Sequence, residues 1–184
     1  MYSHCIYQAK YKTLQWLLGC ILVLLLNGCT ASIDDYEHTE PKFDLFQFFE
    51  GQSHAWGMVQ DYKGRQVRRF DVELNGVITG KQLVLTEDFI FDNQQTQQRV
   101  WTITKQDDGR YFGTADDVVG KAVGYEKGNA LYWQYVLTVD IDGSPYHINF
   151  EDWMFYQQDG QLFNVAKMKK WGITVGSVTL FFQK

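Results

Sequence analysis

Residues 66–92 read QVRRFDVELNGVITGKQLVLTEDFIFD, and this stretch decides the fold. Apolar side chains fall on every second position, at Phe70, Val72 and Leu74, with Arg69, Asp71, Glu73 and Asn75 between them. A period of two sorts side chains onto opposite faces of a strand. Gly80-Lys81 is a two-residue turn signal, and beyond it Leu83, Leu85, Phe89 and Phe91 resume the apolar face. That turn sets Leu85 opposite Gly76 and Glu87 opposite Leu74. Cross-strand partners share a face, so Glu87 joins the apolar side and Asp88 the polar one.

The same pattern continues in both directions. Turn signals recur at Asp108-Gly109, Lys127-Gly128-Asn129, Asp142-Gly143 and Asp159-Gly160. They separate about nine strands, at 52–61, 65–79, 82–92, 97–106, 110–122, 130–141, 145–157, 161–170 and 173–183. No long amphipathic helix interrupts them; Phe43–Phe49, apolar all round, reads as one helical turn. The expectation is an all-β domain, a single antiparallel up-and-down barrel, because closing the meander removes its exposed edges.

The turns also predict register. A three-residue loop at 93–95 sets Phe89 opposite Arg99 and Glu87 opposite Trp101. Asp108-Gly109 sets Trp101 opposite Asp116, Lys127-Gly128 sets Val118 opposite Leu137, and Asp142-Gly143 sets Trp133 opposite Asp152. One face thereby collects Phe70, Val72, Leu74, Leu83, Leu85, Phe89, Phe91, Trp101, Ile103, Phe112, Val118, Trp133, Tyr135, Leu137, Val139, Ile148, Phe150 and Met154. The other takes Asp88, Thr102, Asp117, Gln134, Thr138, His147, Asn149 and Glu151. After Asp159-Gly160 two registers compete, one of which points Lys167 and Lys169 inward. Trp153 and Phe155 fall outward, either covered by Phe43–Phe49 or touching membrane or a partner.

Inside this apolar face the predicted register also places Glu87, Arg99, Asp116 and Asp152, with the phenol of Tyr135. Three carboxylates against one guanidinium cannot all stay ionised in a dry barrel. Three readings stand. The group is a structural network fixing register, or a pocket for an amphipathic ligand with Arg99 at its polar end and Trp101, Trp133, Tyr135 and Phe150 along its tail, or a carboxylate pair doing acid–base chemistry. Phosphate-binding loops and nucleophile elbows are absent from the sequence, and His54 and His147 stand apart, so neither a metal nor another cofactor is expected.

The N-terminal segment reads as an address. Lys10 and Lys12 precede an uncharged apolar run from Trp16 to Leu26, too short for the roughly 20 residues of a membrane span and suited to a signal-peptide core. It ends in Leu26-Asn27-Gly28-Cys29, which resembles a bacterial lipobox, although Asn27 is not the commonest residue at its position. Residues 1–28 would be removed and Cys29 would carry the lipid anchor. Cys5 and Cys20 leave with the signal, so no thiol remains for a disulfide or metal site. Thr30 stands where an Asp would mark inner-membrane retention, which points to the outer membrane, facing the periplasm. Residues 29–42, polar and acidic, read as a tether, and the domain is expected over 43–184. Of 184 residues 45% are hydrophobic and 16% aromatic, enough for one packed core and too many for disorder. A net charge of −5 argues against nucleic acid.

The motifs AWGMVQD (55–61), RVWTI (99–103), GTADDVVGKAVG (113–124), GNALYWQY (128–135), FEDWM (150–154) and KWGITVGSVTLFF (170–182) resemble the bacterial lipoprotein family catalogued as domain of unknown function 3833. FEDWM carries Glu151 where the more usual form has a second Asp. The resemblance implies a lipid-anchored envelope protein with a lipocalin-like (calycin) barrel, and an association with fatty-acid modification favours a lipid-related role. It carries no catalytic residues. The expected function is to bind, carry or shield an amphipathic molecule, a fatty acid or lipid. The alternatives are an enzyme acting on such a lipid through Glu87, Asp116 or Asp152, and a solid barrel serving a protein partner.

Overall fold

A computed structural model describes residues 30–141 and 143–184; the segment 1–28 expected to be a signal peptide and the expected lipidation site Cys29 lie outside the described residues. Ten strands follow one another: β1 (Gly51–Asp61), β2 (Gln66–Thr79), β3 (Gln82–Phe91), β4 (Thr96–Lys105), β5 (Tyr111–Thr114), β6 (Ala122–Lys127), β7 (Ala130–Ile141), β8 (Ser144–Tyr156), β9 (Leu162–Lys170) and β10 (Ile173–Gln183). Each pairs antiparallel with its sequence neighbours, and β10 returns to β1, closing the barrel. The up-and-down barrel expected from the periodicity is present, with one strand more.

The extra strand comes from the stretch 110–122. Two adjacent acids, Asp116-Asp117, and Gly120 at φ +73° break it into β5 and β6 with a loop between. The loop runs beside β7, where Val118 bridges Leu137, Val119 N–H donates to Val136 O (2.8 Å) and Thr138 N–H donates to Asp117 O (2.8 Å). It makes no ladder with β4. Among the described residues β4 pairs with β5 only over Thr102–Lys105, and β6 with β7 only over Ala130–Gln134. One half of the wall between β4 and β7 is therefore a loop.

Most of the register follows the turns. Gly76↔Leu85 and Trp133↔Asp152 pair as expected; Val118↔Leu137 pair too, but as an isolated bridge, because the β6–β7 turn lies one residue later than read and sets Lys127 opposite Ala130. The loop after β3 lies one residue earlier than read, since Phe91 N–H bonds to Gln95 O, and Glu87 faces Arg99 rather than Trp101. Moving the loop by one residue shifts the partner by two and preserves the face. The loop after β4 has a worse consequence. It spans 107–109, closed by Gln106 N–H to Arg110 O, so Ile103 opposes Gly113 and Thr104 opposes Phe112. This one-residue slip turns Phe112 outward, under the ammonium of Lys121, and Tyr111 inward, fully buried. In the β8–β9 hairpin Glu151 opposes Lys167 and Asn149 opposes Lys169, so both lysines face outward.

α1 (Leu45–Phe49), capped by Asp44 accepting from Gln47 N–H, closes one end. Phe43, Leu45, Phe48 and Phe49 are buried there with Leu83, Tyr111, Leu131, Leu162 and Phe182. Gly76 on β2 is required by this plug: a Cβ there would lie 1.8 Å from the Phe49 carbonyl oxygen. Lys184 holds the helix end, its Nζ donating to the carbonyls of Gln47, Phe48 and Glu50. The expectation that Phe43–Phe49 covers Trp153 and Phe155 is not met, because that segment turns into the barrel. Tyr36, on a 3-10 turn over Ile33–Tyr36, packs on both rings at 5.5 Å instead.

The stretch read as a tether is thus docked from Ile33 onward. Lys127 pairs with Asp34 at 2.8 Å, Thr39 exchanges hydrogen bonds with Asn129, and Phe43 N–H donates to Gly128 O. Aromatic burial and these bonds outweigh the acidic composition that suggested a loose chain.

Candidate functional site

The barrel interior changes character along its axis. At the plugged end the inward side chains Ala55, Val72, Leu74, Leu83, Leu131 and Leu162 are sealed from solvent. Toward the other end, the mouth formed by the β1–β2, β3–β4, β7–β8 and β9–β10 connections, the inward side chains of Val59, Phe89, Tyr135, Val139, Met168, Val178 and Leu180 are only partly buried. A side chain with the barrel wall behind it keeps exposure only where the bore is incompletely filled.

The four aromatic residues expected along a ligand tail do meet. Trp101 contacts Trp133 and Tyr135 edge-on at 5.9 and 5.5 Å, and Tyr135 stacks on Phe150 at 5.1 Å. Trp133 lies so close to Gly124 that a Cβ there would sit 2.0 Å from the ring, which explains the glycine. These rings form a floor across the bore between the plug and the mouth.

Polar groups occupy the same level. Arg99 Nε and Nη2 donate to Asp117 at 2.9 and 2.7 Å, and its Nη1 lies 3.6 Å from Glu87 Oε2. Asp117, not Asp116, is therefore the carboxylate that meets the guanidinium; Asp116 is exposed. The correction has the same cause as the inversion of Phe112: the chain after β4 is displaced by one residue, and the pair of acids swaps sides. The Arg99–Asp117 pair also spans the part of the wall that lacks a ladder, tying β4 to the loop between β5 and β6.

Asp152 is placed as expected, buried opposite Trp133. Tyr135 O–H donates to its Oδ2 (3.0 Å), and Asn164 Nδ2–H to its Oδ1 and to Trp153 O (3.1 Å). Asn164, buried on β9, escaped the sequence reading because the register of that strand was open. Glu126 was missed too. It accepts from Tyr111 O–H (2.6 Å), Lys105 Nζ and Leu45 N–H, joining the wall to the plug. Its sequence signal, an acid on a short strand after GTADDVVGKAVG, points to no particular partner.

Burial raises the Glu87 carboxyl to about 7, helped by Asp117 and opposed by Arg99. Burial also raises Asp152 to about 6 against the donors Asn164 and Tyr135. Tyr135 is pushed well above its usual value by burial and by Asp152. For Arg99, burial opposes the charge, but Glu87 and Asp117 outweigh it and the pKa rises. Glu87 Oε2 is buried without a hydrogen-bond partner, an arrangement that fits a protonated acid or a group waiting for a ligand. The site therefore offers a fixed cation already neutralised by one carboxylate, beside an acid that is half-protonated near neutrality. It can donate to, or accept from, a polar head at the bottom of an apolar well.

Among the described residues no group of three or more His, Cys, Asp or Glu is placed to hold a metal. No curated protein matches the sequence. A family match covers residues 23–184, so that the barrel, its plug and the interior cluster all fall within it, and the chain belongs to the family described as Protein of unknown function (DUF3833).

Proposed function

We propose that this protein is an outer-membrane lipoprotein, anchored through Cys29 and facing the periplasm, whose barrel binds, carries or shields an amphipathic small molecule, a fatty acid or lipid. One observation carries the reading: the inward side chains near the mouth remain partly exposed, whereas those at the plugged end are sealed. An acyl chain would lie against Phe89, Tyr135, Val178 and Leu180, with its head at Glu87 and Arg99. Arg68 supplies a second guanidinium, resting on the Phe91 ring at 3.5 Å.

A second reading, an enzyme acting on such a lipid, draws support from Glu87 and Asp152, whose carboxyls sit near neutral pKa. One titration separates them. Oleate added to the delipidated protein should quench tryptophan emission from Trp101 and Trp133, and Arg99→Met should weaken binding about tenfold, as loss of a charge-assisted hydrogen bond does. Glu87→Gln, which keeps the shape, should bind oleate without chemical change. Product formation that disappears in Glu87→Gln would favour the enzyme. No quenching with any acyl chain, and no lipid in a native mass spectrum of the purified protein, would leave a solid structural barrel.

A further inference from the structure

The outer face of the barrel carries a row of aromatic side chains that the interior does not explain. Trp56 on β1 opposes Phe181 on β10, Phe181 opposes Phe163 on β9, and Phe163 opposes Phe155 on β8. Trp153 and Tyr36 continue the row beyond Phe155. The order is not random: phenylalanines occupy the centre, and tryptophan and tyrosine stand at both flanks. Phe163 and Trp56 are 43% and 45% exposed, and Val165 beside Phe163 is 39% exposed. β10 contains no charged residue along its whole length. Beside Trp56 the face sinks into a groove of about 640 Å³, lined by Met58 and Ile90 and, at its polar side, by Arg69, Asp71 and Asp92.

Apolar groups in the centre with tryptophan and tyrosine around them is the distribution that a membrane boundary selects, because indole and phenol favour the headgroup level. The chain itself indicates the occupant. Tyr36 ends the docked N-terminal turn on this row, and Cys29 lies only four residues before Ile33. Four residues reach at most roughly 14 Å. An acyl chain on Cys29 would hold this face, and not the distant mouth, next to the bilayer.

We propose that the strip Trp56–Phe181–Phe163–Phe155, flanked by Trp153 and Tyr36, docks on the membrane surface, Phe163 entering the acyl boundary. The proposal rests on the reading of Cys29 as the lipid anchor. Docking is by apolar partition rather than by attraction to anionic lipid, since most nearby cations are engaged, Lys169 with Glu151 at 2.6 Å, Arg69 with Asp92 at 3.8 Å, Lys127 with Asp34 and Lys184 with the carbonyls at the end of α1, and Lys167 on β9 is a single exposed charge rather than a basic patch.

The test uses protein purified from membranes and reconstituted in phosphatidylcholine vesicles whose acyl chains are brominated near the headgroup. The intact mass reads the anchor independently of docking. Bromine should quench tryptophan emission, Trp56→Phe should remove the largest share, Trp171→Phe should remove none, and Phe163→Glu should lower the quench at least twofold. Salt should leave it unchanged. A lipidated mass without quenching overturns docking while the anchor stands. Quenching carried by Trp171, whose side chain is 89% exposed at the mouth, or quenching that requires anionic lipid, also overturns it.

Discussion

Glu87 shows how much one side chain can be asked to do in a barrel. Its folded carboxyl holds a proton up to about pH 7, whereas the unfolded chain releases it near the ordinary glutamate value of 4.5. Between those values the folded state binds more protons, so stability is fully present below the lower value and falls as pH rises through the higher. Asp152, raised to about 6, contributes with the same sign. The thermal midpoint should therefore drop between about pH 5 and about pH 8, and Glu87→Gln should remove roughly 3 kcal/mol of that drop. A profile unaltered by the substitution would mean that Glu87 is solvated. The inward placement of Glu87 was legible because Gly80-Lys81 fixes its strand; the inward acid of the Asp116-Asp117 pair was not. Adjacent residues take opposite faces, so the identity of the inward one depends on a loop length that the sequence leaves open by one residue. Where the error was two residues in register, as for Arg99, the face survived it.

Among the elements, α1 is the one whose presence was legible and whose destination was not. Its phenylalanines plainly needed cover, but periodicity says nothing about whether a short apolar segment lies on a sheet or enters the end of a barrel. The structure chooses the end because Gly76 leaves room for the Phe49 carbonyl and Glu126 meets the Leu45 N–H. Phe48 packs edge-on against Phe49, Tyr156 and Phe182. Phe48→Ala should cost about 3–5 kcal/mol, the range for emptying a buried aromatic site. Val77→Ala, at an exposed strand position, should cost less than about 0.5 kcal/mol. Chemical denaturation of the two variants checks the contrast; equal costs would mean that the plug is dispensable.

At the scale of the whole molecule, the missing ladder between β4 and β7 gives the barrel two mechanical halves. Around the plug every strand is bonded on both sides and the wall is a tube. Toward the mouth β4 has no ladder partner on this side, while the loop between β5 and β6 stays bonded to β7, and Arg99 on Asp117 clasps the two sides together like a cuff. Amides of Val119 and Thr138, which hold the latch loop to β7, should exchange with solvent faster in Asp117→Asn, while those of Leu83 and Leu131 near the plug keep their protection. Unchanged protection at Val119 and Thr138 would mean that the latch carries no load. A tube cannot change its bore without breaking hydrogen bonds along a seam. A cuff opens at its clasp, and here the clasp is one guanidinium held on one carboxylate.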